Sequence, residues 1–429
     1  MAPGVRRDRP PAPDAPFVRS RRRESMTAVM EGVRILEVAE QTFVPAASAL
    51  LADWGAEVIK IEHVERGDAM RGLASSGIGV IPGDVHVLLE HSNRGKQSLG
   101  LDLATPEGID ILYKLAAGCD VFLTNKLANV RTKLKIDVED IRAHNPRIIY
   151  ARGTGQGERG VDADKGSYDS LAFWARSGVA LAVTRTDYDH VVGPPGPGFG
   201  DSIGAMTIAG GIMGALYHRE RTGEATTVDV SLLSSGMWAM GQTISLSLLL
   251  GFPWQPAPGA GMRNPLTGYY RTGDGRWVAL TCLQAIKYWP SMCEVIGQPE
   301  LAQDPRFADH ESLMANTPEA MDILRGAFAA HSLEEWRQKL EAFTGQWAIV
   351  QNTLEVAADP QSEANDYMQP GTTAEGKAYQ LVTAPIQYDG VPAVPGRAPQ
   401  FNEHGDKILT DLGLDWDTIV DLKVRGVIA

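Results

Sequence analysis

A parallel, doubly wound α/β domain joined to a smaller α+β unit is the fold class this sequence predicts. Three observations carry the prediction. Short apolar runs alternate with capped helical segments from Gly32 to about Gly153, and such alternation builds βαβ units with parallel strands. At 429 residues the chain exceeds the ~100 to 200 residues usual for one domain. Past Leu266 the pattern changes to two strand-like runs about a Gly-Asp-Gly turn, YYRTGDGRWVALTC, which reads as an antiparallel hairpin.

The elements follow in order. The first 25 residues are rich in Arg and Pro and lack both the apolar core of a secretion signal and hydrophobic periodicity. A disordered tail over 1–29 is expected, with Met26 or Met30 as a possible start. RILEVA is strand-like, PAASALLADWG is a helix stopped by Gly55, and EVIKIE is a second strand. SLGLDL leads into TPEGIDILYKLAAG, where Thr105 caps, Pro106 suits the first helical position and Gly118 ends the helix. DVFLTN and RIIYARG supply two further strands around a helix near Val138 to His144. This large domain is placed at 30–224 and ends with a helix of small apolar residues, IGAMTIAGGIMGALYHRER, suited to a crowded crossing. TTVDVSLL and an apolar stretch from Met237 to Trp254 open a small domain at 225–345. That stretch contains Gly, Gln242 and several serines, so it reads as a long buried helix or a subunit interface rather than a membrane span. Residues 346–429 return to the large domain.

Composition narrows the function. A formal net charge of −13 argues against broad binding to nucleic acid or an anionic membrane. Three cysteines without CxxC spacing fit a reducing, cytoplasmic setting and support neither a disulfide framework nor a zinc site. The histidines show no HExxH or other ligand spacing, so no metal is expected. The turn after the first strand, EQTFVPAA, lacks the GxGxxG that brings a pyrophosphate onto the backbone, and Glu62 alone does not restore a nicotinamide site. GTGQGERG is not followed by Lys-Ser or Lys-Thr and is no nucleotide P-loop. Ser234 and Ser235 form no nucleophile elbow. One carboxylate stands out: Asp169, in GSYDSLAFWARSGVAL, between that Gly-rich stretch and an apolar run. On local grounds it reads as a helix N-cap.

The runs GVRILEVAE, PAASALLADWGAEVIKIE, GDAMRG, NRGKQSLGLDLATPEG, GSYD, RTGEATTVDVSLLSS, NPLTGYYRTGDGRW and LGLDWDTIVDLKVRGVI, in that order, resemble family III CoA-transferases of the carnitine and formyl-CoA transferase type. The resemblance implies a Rossmann-like large domain, a small domain, and two chains interlocked as a homodimer. It implies acyl-CoA and a carboxylic acid as substrates, with no tightly bound cofactor. Asp169 matches the family's nucleophile. Thr42, Arg71, Arg94, Lys96, Asn125 and Lys133 fall in motifs that resemble its CoA contacts, and Gly259, Ala260 and Gly261 stand where relatives carry a glycine-rich active-site loop. Tyr168, Phe173 and Trp174 are candidates for an acyl pocket.

A carboxylate suits CoA transfer because it can hold an acyl group as an anhydride and CoA as a thioester. Two other readings stay open. The superfamily includes α-methylacyl-CoA racemases, which use a His-Asp pair and a later Asp; here Tyr168 stands at the histidine, and Asp201 in GFGDSIG matches the later acid. A tyrosine of ordinary pKa near ~10 is a poor base at neutral pH. The altered motifs KLAN and EHVERGD also suit a CoA-binding subunit without turnover.

Overall fold

Six short runs, all but Gln97–Gly100 carrying β-branched and apolar residues, form the strands of one sheet: β1 (Arg34–Val38), β2 (Glu57–Glu62), β3 (Gln97–Gly100), β4 (Val121–Thr124), β5 (Ile149–Thr154) and β6 (Thr227–Ser231). The structure is a computed structural model that describes residues 26–72, 85–256 and 264–429. The strand order is β3-β2-β1-β4-β5-β6. The β1–β2, β1–β4, β2–β3 and β4–β5 pairings are all parallel. The order reverses between β1 and β4, and in doubly wound sheets ligands bind beyond the strand C-termini at such a switch point.

The helices obey the local signals. Thr105 Oγ1 accepts the Gly108 N–H at 3.1 Å, Pro106 occupies the first turn, and the helix Pro106–Ala117 lays Ile111, Leu112, Leu115 and Ala116 into the core. This i, i+1, i+4, i+5 stripe is the amphipathic face that drives its packing. The C-terminal residues complete the same unit: Leu101 bridges Ile428, and the Gly95 N–H bonds the Arg397 carbonyl at 2.9 Å.

The chain divides into two units, one comprising residues up to Arg152, Ala205–Val228 and Gln369–Ala429, the other Gly153–Gly204 and Asp229–Met368. The second unit therefore takes in 153–204, which the sequence had placed in the large domain. The reason is local packing: the Leu233 N–H bonds the Gly155 carbonyl at 3.0 Å, and Gly236 sits so close to Phe173 and Ser177 that a Cβ there would lie 2.6 Å from Ser177 Oγ. This unit also holds an antiparallel sheet of β7 (Thr267–Arg271), β8 (Trp277–Thr281) and β9 (Trp347–Ile349) over a core that includes Trp289, Phe307, Phe328 and Trp336. Gly275, at φ 81°, makes the hairpin turn.

Two sequence expectations change. The stretch after Met237 is not one long buried helix. It belongs to two helices, Leu232–Ala239 and Gly241–Leu250, and the second has no buried residue in the single chain. The helix Phe199–Thr222, long and apolar enough to cross a membrane by length and composition, buries Ala205, Ile208, Ala209, Ile212 and Ala215 along one stripe and leaves Tyr217 exposed. The tail and start-codon expectations fall largely on residues 1–25, outside the described residues; Met30 is buried, its N–H bonded to the Trp54 carbonyl.

Candidate active site

The segment GSYD enters a seven-residue π-helical stretch, Ser170–Arg176, with Asp169 at its N-cap. Such stretches are rare and recur at functional sites. Asp169 departs from the ordinary cap: its side chain makes no bond to its own helix. Instead Oδ2 accepts the backbone N–H of Gly200 at 3.2 Å. Gly200 lies in the first turn of Phe199–Thr222, where unpaired N–H groups and the helix dipole favour an anion.

Close packing makes this approach possible. A Cβ on Gly200 would fall 2.4 Å from Cγ and 2.6 Å from Cβ of Phe173. Phe173 and Trp174 are buried and meet Phe199 edge-on at centroid distances of 6.2 and 6.1 Å. The Trp174 indole donates to the Val192 carbonyl at 2.8 Å. Tyr168, in contrast, is 61% exposed, and Leu171 is exposed as well.

The Gly-rich stretch clamps the entry to Asp169. Gly155 lies against Ser167, where a Cβ would be 2.3 Å away. The Gln156 amide donates to Ser167 Oγ at 3.1 Å and accepts from Arg176 at 2.9 Å, while Arg176 pairs with Asp162 at 2.7 Å. Both ends of the π-helical stretch are thus tied to one loop.

Asp201, the residue after Gly200, carries the perturbed carboxyl of this site. Burial, then the charge of Asp169, pushes it up to about 7. The expected loop residues Gly259, Ala260 and Gly261 lie outside the described residues.

In the sheet-bearing unit, a cavity of about 230 Å³ opens beyond the C-terminal ends of β1, β2 and β4. Val38, Ile61, Leu101 and Val130 give it apolar walls, and His63, Arg66 and Lys126 bring basic groups to it. Lys126 pairs with Glu40 at 2.9 Å and Arg66 with the same oxygen at 3.4 Å.

None of the six residues expected at CoA lines this cavity. Arg94 and Lys96 are instead interior ion-pair partners. Arg94 is 1% exposed, and its Nη2 lies 2.7 Å from Asp53. Lys96 contacts Glu37 at 2.8 Å, the Pro45 carbonyl at 2.8 Å and Asn93 at 3.2 Å. Neighbouring Lys60 contacts Glu37 and Asp68, both at 2.7 Å, and the Ala39 carbonyl at 2.9 Å. Burial opposes charge throughout this cluster. It would raise Glu37, but Lys60 and Lys96 hold that carboxylate down at about 2. Asp68, Glu37 and Glu62 lift Lys60 above the usual lysine range despite its burial. For Lys96, burial together with the Lys60 charge outweighs Glu37 and brings it down to about 7.

Arg71 spans Glu62 with two bonds of 2.7 and 2.8 Å and also reaches the Pro399 carbonyl. Asn125 accepts the Glu40 N–H and donates to the Glu40 carbonyl, so it braces the turn after β1. In that turn Gln41 sits at φ 71° and its N–H is held by Asp68 at 3.0 Å. Thr42 precedes the helix Phe43–Asp53 without a side-chain cap bond, and Lys133 is exposed. The charged cluster and Asn125 thus shape the β1 turn that borders the cavity.

Residues 30–405 match the sequence model of CoA-transferase family III. The chain belongs to CoA-transferase family III. The (R)-2-hydroxy-4-methylpentanoate CoA-transferase of Clostridioides difficile is 29% identical over 402 residues, 93% of this chain and 99% of that protein. The succinyl-CoA:mesaconate CoA-transferase of Haloarcula marismortui is 30% identical over 420 residues, 91% of this chain and 98% of that protein. A solved CAIB/BAIF family protein from Brucella suis superimposes with a TM-score of 0.77 at 25% identity, covering 90% of this chain and 99% of its own.

For this CoA-transferase, sequence reasoning singled out Asp169 and its aromatic neighbours and missed Arg66 and Lys126. Their signal was position: Lys126 follows the C-terminal end of β4, which flanks the switch point, and Arg66 follows that of β2, one strand further out.

Proposed function

We propose that this enzyme transfers CoA from an acyl-CoA donor to a carboxylic acid through covalent intermediates on Asp169. The observation that carries the reading is the Asp169 carboxylate, free of its own helix and held at 3.2 Å by the Gly200 N–H. Its second oxygen, Oδ1, is the attacking atom. It adds to the thioester carbonyl, the C–S bond breaks, and a mixed anhydride and CoA thiolate form. The thiolate then attacks the aspartyl carbonyl, releases the donor acid and leaves an aspartyl-CoA thioester. An acceptor carboxylate runs the same steps in reverse. An anhydride survives only where water is scarce, and the buried Phe173 and Trp174 rings supply that environment. The nucleotide portion of CoA is assigned to the cavity at the sheet's switch point, where His63, Arg66 and Lys126 are the cations on offer.

The acids handled by these two relatives carry branched or dicarboxylic chains by their names, and an organic acid of this size range is the substrate class proposed here. A homodimer is part of the reading: Trp238, Leu248 and Leu249 are each at least 80% exposed in the single chain, and a second copy is the occupant proposed for this apolar face. Light scattering should give twice the chain mass.

The deciding experiment is intact-protein mass spectrometry after incubation with a panel of acyl-CoA donors, with hydroxylamine trapping and peptide mapping. A CoA or acyl adduct on Asp169, absent in Asp169→Ala, is expected. Turnover with full activity in Asp169→Ala would overturn the covalent mechanism.

A further inference from the structure

We propose that Asp201 is a second working carboxyl of this site, holding a proton while Asp169 is a free carboxylate and giving it up when Asp169 becomes a thioester. The inference rests on the covalent role of Asp169.

The geometry comes first. Gly200 and Asp201 are consecutive in the first turn of Phe199–Thr222, and the Gly200 N–H is the group that holds Asp169 Oδ2. Phe173 fills the space against Gly200, and Phe199 stands edge-on to both Phe173 and Trp174. The Asp169 carboxylate is therefore brought to the turn that carries Asp201, beside apolar rings, where placing a second negative charge is costly. Asp201 bears that cost: burial and the Asp169 charge act on it, and among the described residues no hydrogen bond offsets them. The other charged group on the Asp169 helix, Arg176, is committed to Asp162 and Gln156, and Tyr168 faces solvent.

The arrangement reduces the swing in the site's charge through the cycle. In the free enzyme burial and the Asp169 charge favour the protonated form of Asp201. When CoA is transferred to Asp169, the donor C–S bond breaks, an aspartyl C–S bond forms and a carboxylate leaves. That exchange neither consumes nor produces a proton. It does remove the Asp169 charge while burial remains, so Asp201 ionises further and a fraction of a proton passes to solvent. An incoming acceptor carboxylate restores the repulsion and drives the proton back onto Asp201.

Because the exchange itself is proton-neutral, release that Asp201→Asn abolishes reports the second carboxyl. The test is stopped-flow mixing of enzyme with an acyl-CoA donor alone, in weak buffer with a pH-indicator dye, with adduct formation on Asp169 quantified by mass spectrometry in the same samples. Wild-type enzyme should release roughly a fifth of a proton or more per adduct near pH 7, fading below pH ~5 and above pH ~8.5. Asp201→Asn should form the adduct and release none. An adduct formed without release at any pH overturns the proposal, as does release that persists in Asp201→Asn. Should that variant fail to fold, the wild-type pH profile alone decides. Absence of any adduct on Asp169 is a different failure: it removes the covalent reading itself and this proposal with it.

Discussion

Replacing Gly200 by Ala tests whether the Asp169 site depends on the close approach of two helices. The added methyl carbon would lie 2.4 Å from Phe173 Cγ, 2.6 Å from its Cβ and 2.7 Å from its Cδ1. The contact with Cβ is decisive, because no side-chain rotation moves that atom. Extending 2.6 Å to an ordinary 3.4 Å contact requires about 0.8 Å of backbone displacement between the π-helical stretch and the turn bearing Gly200. Asp169 begins the displaced stretch, so its 3.2 Å bond to the Gly200 N–H should lengthen to about 4 Å, beyond hydrogen-bond range. Overpacking costs about 1–3 kcal/mol, and removing a helical glycine returns about 0.5–1 kcal/mol, leaving a net loss on the order of 1 kcal/mol. Misplacement of a reacting group by about 1 Å costs roughly 10²-fold in rate. The expected outcome is a modest fall in thermal midpoint with a roughly hundredfold slower labelling of Asp169 by acyl-CoA. Gly210→Ala on the same helix is the control, since a Cβ there meets nothing within 4 Å and should be neutral or slightly stabilising. Wild-type labelling in Gly200→Ala, or equal damage from Gly210→Ala, would refute the reasoning.

Three further outcomes follow from the sheet-bearing unit. Glu37 is fully buried and held near 2 against its usual 4.5, so it contributes roughly 3 kcal/mol that is present above pH ~4.5 and lost as pH falls toward 2. Denaturant titrations should show Glu37→Gln destabilised at pH 7 with a shallower decline on acidification; an unchanged acid limb would count against the cluster. Arg94→Met should cost about 3–5 kcal/mol by stranding Asp53, with little change in the KM for acyl-CoA of whatever enzyme remains folded. A raised KM at wild-type stability would return Arg94 to the CoA phosphates. Lys126→Ala should raise the KM for acyl-CoA roughly tenfold and leave kcat nearly unchanged, as loss of a charge-assisted contact predicts; steady-state kinetics in which kcat falls instead would place Lys126 at the chemistry.

What the sequence disclosed and what it hid divide along the distance over which each feature is decided. The strands, the Thr105 cap and the Gly-Asp-Gly turn depend on neighbours within a few positions, and all three stand in the structure where the pattern put them. The fate of a charge depends on partners far along the chain. Arg94 and Lys96 stand in a motif that resembles CoA contacts, but Asp53 lies 41 residues from Arg94 and Glu37 lies 59 from Lys96, and nothing in either segment announces the pairing. A lysine in the middle of EVIKIE breaks the apolar run and looks like a solvent-facing residue; its register opposite Glu37 on β1 puts it inside. Asp169 was legible because its motif is local, whereas its hydrogen bond is not: Gly200 is 31 residues away, and the two meet only because a glycine there admits Phe173. The same contact gives Asp201 its meaning. In the sequence Asp201 is an acid lacking the histidine a racemase would pair with it; in the fold it is a carboxyl pushed up by burial and then by the Asp169 charge. A neighbouring negative charge raises a carboxyl's pKa and makes it a better base, so the pairing by itself suits proton abstraction as well as transfer; a covalent adduct belongs to transfer alone. Asp169 labelling therefore separates transfer from racemisation more sharply than the loss of the histidine does.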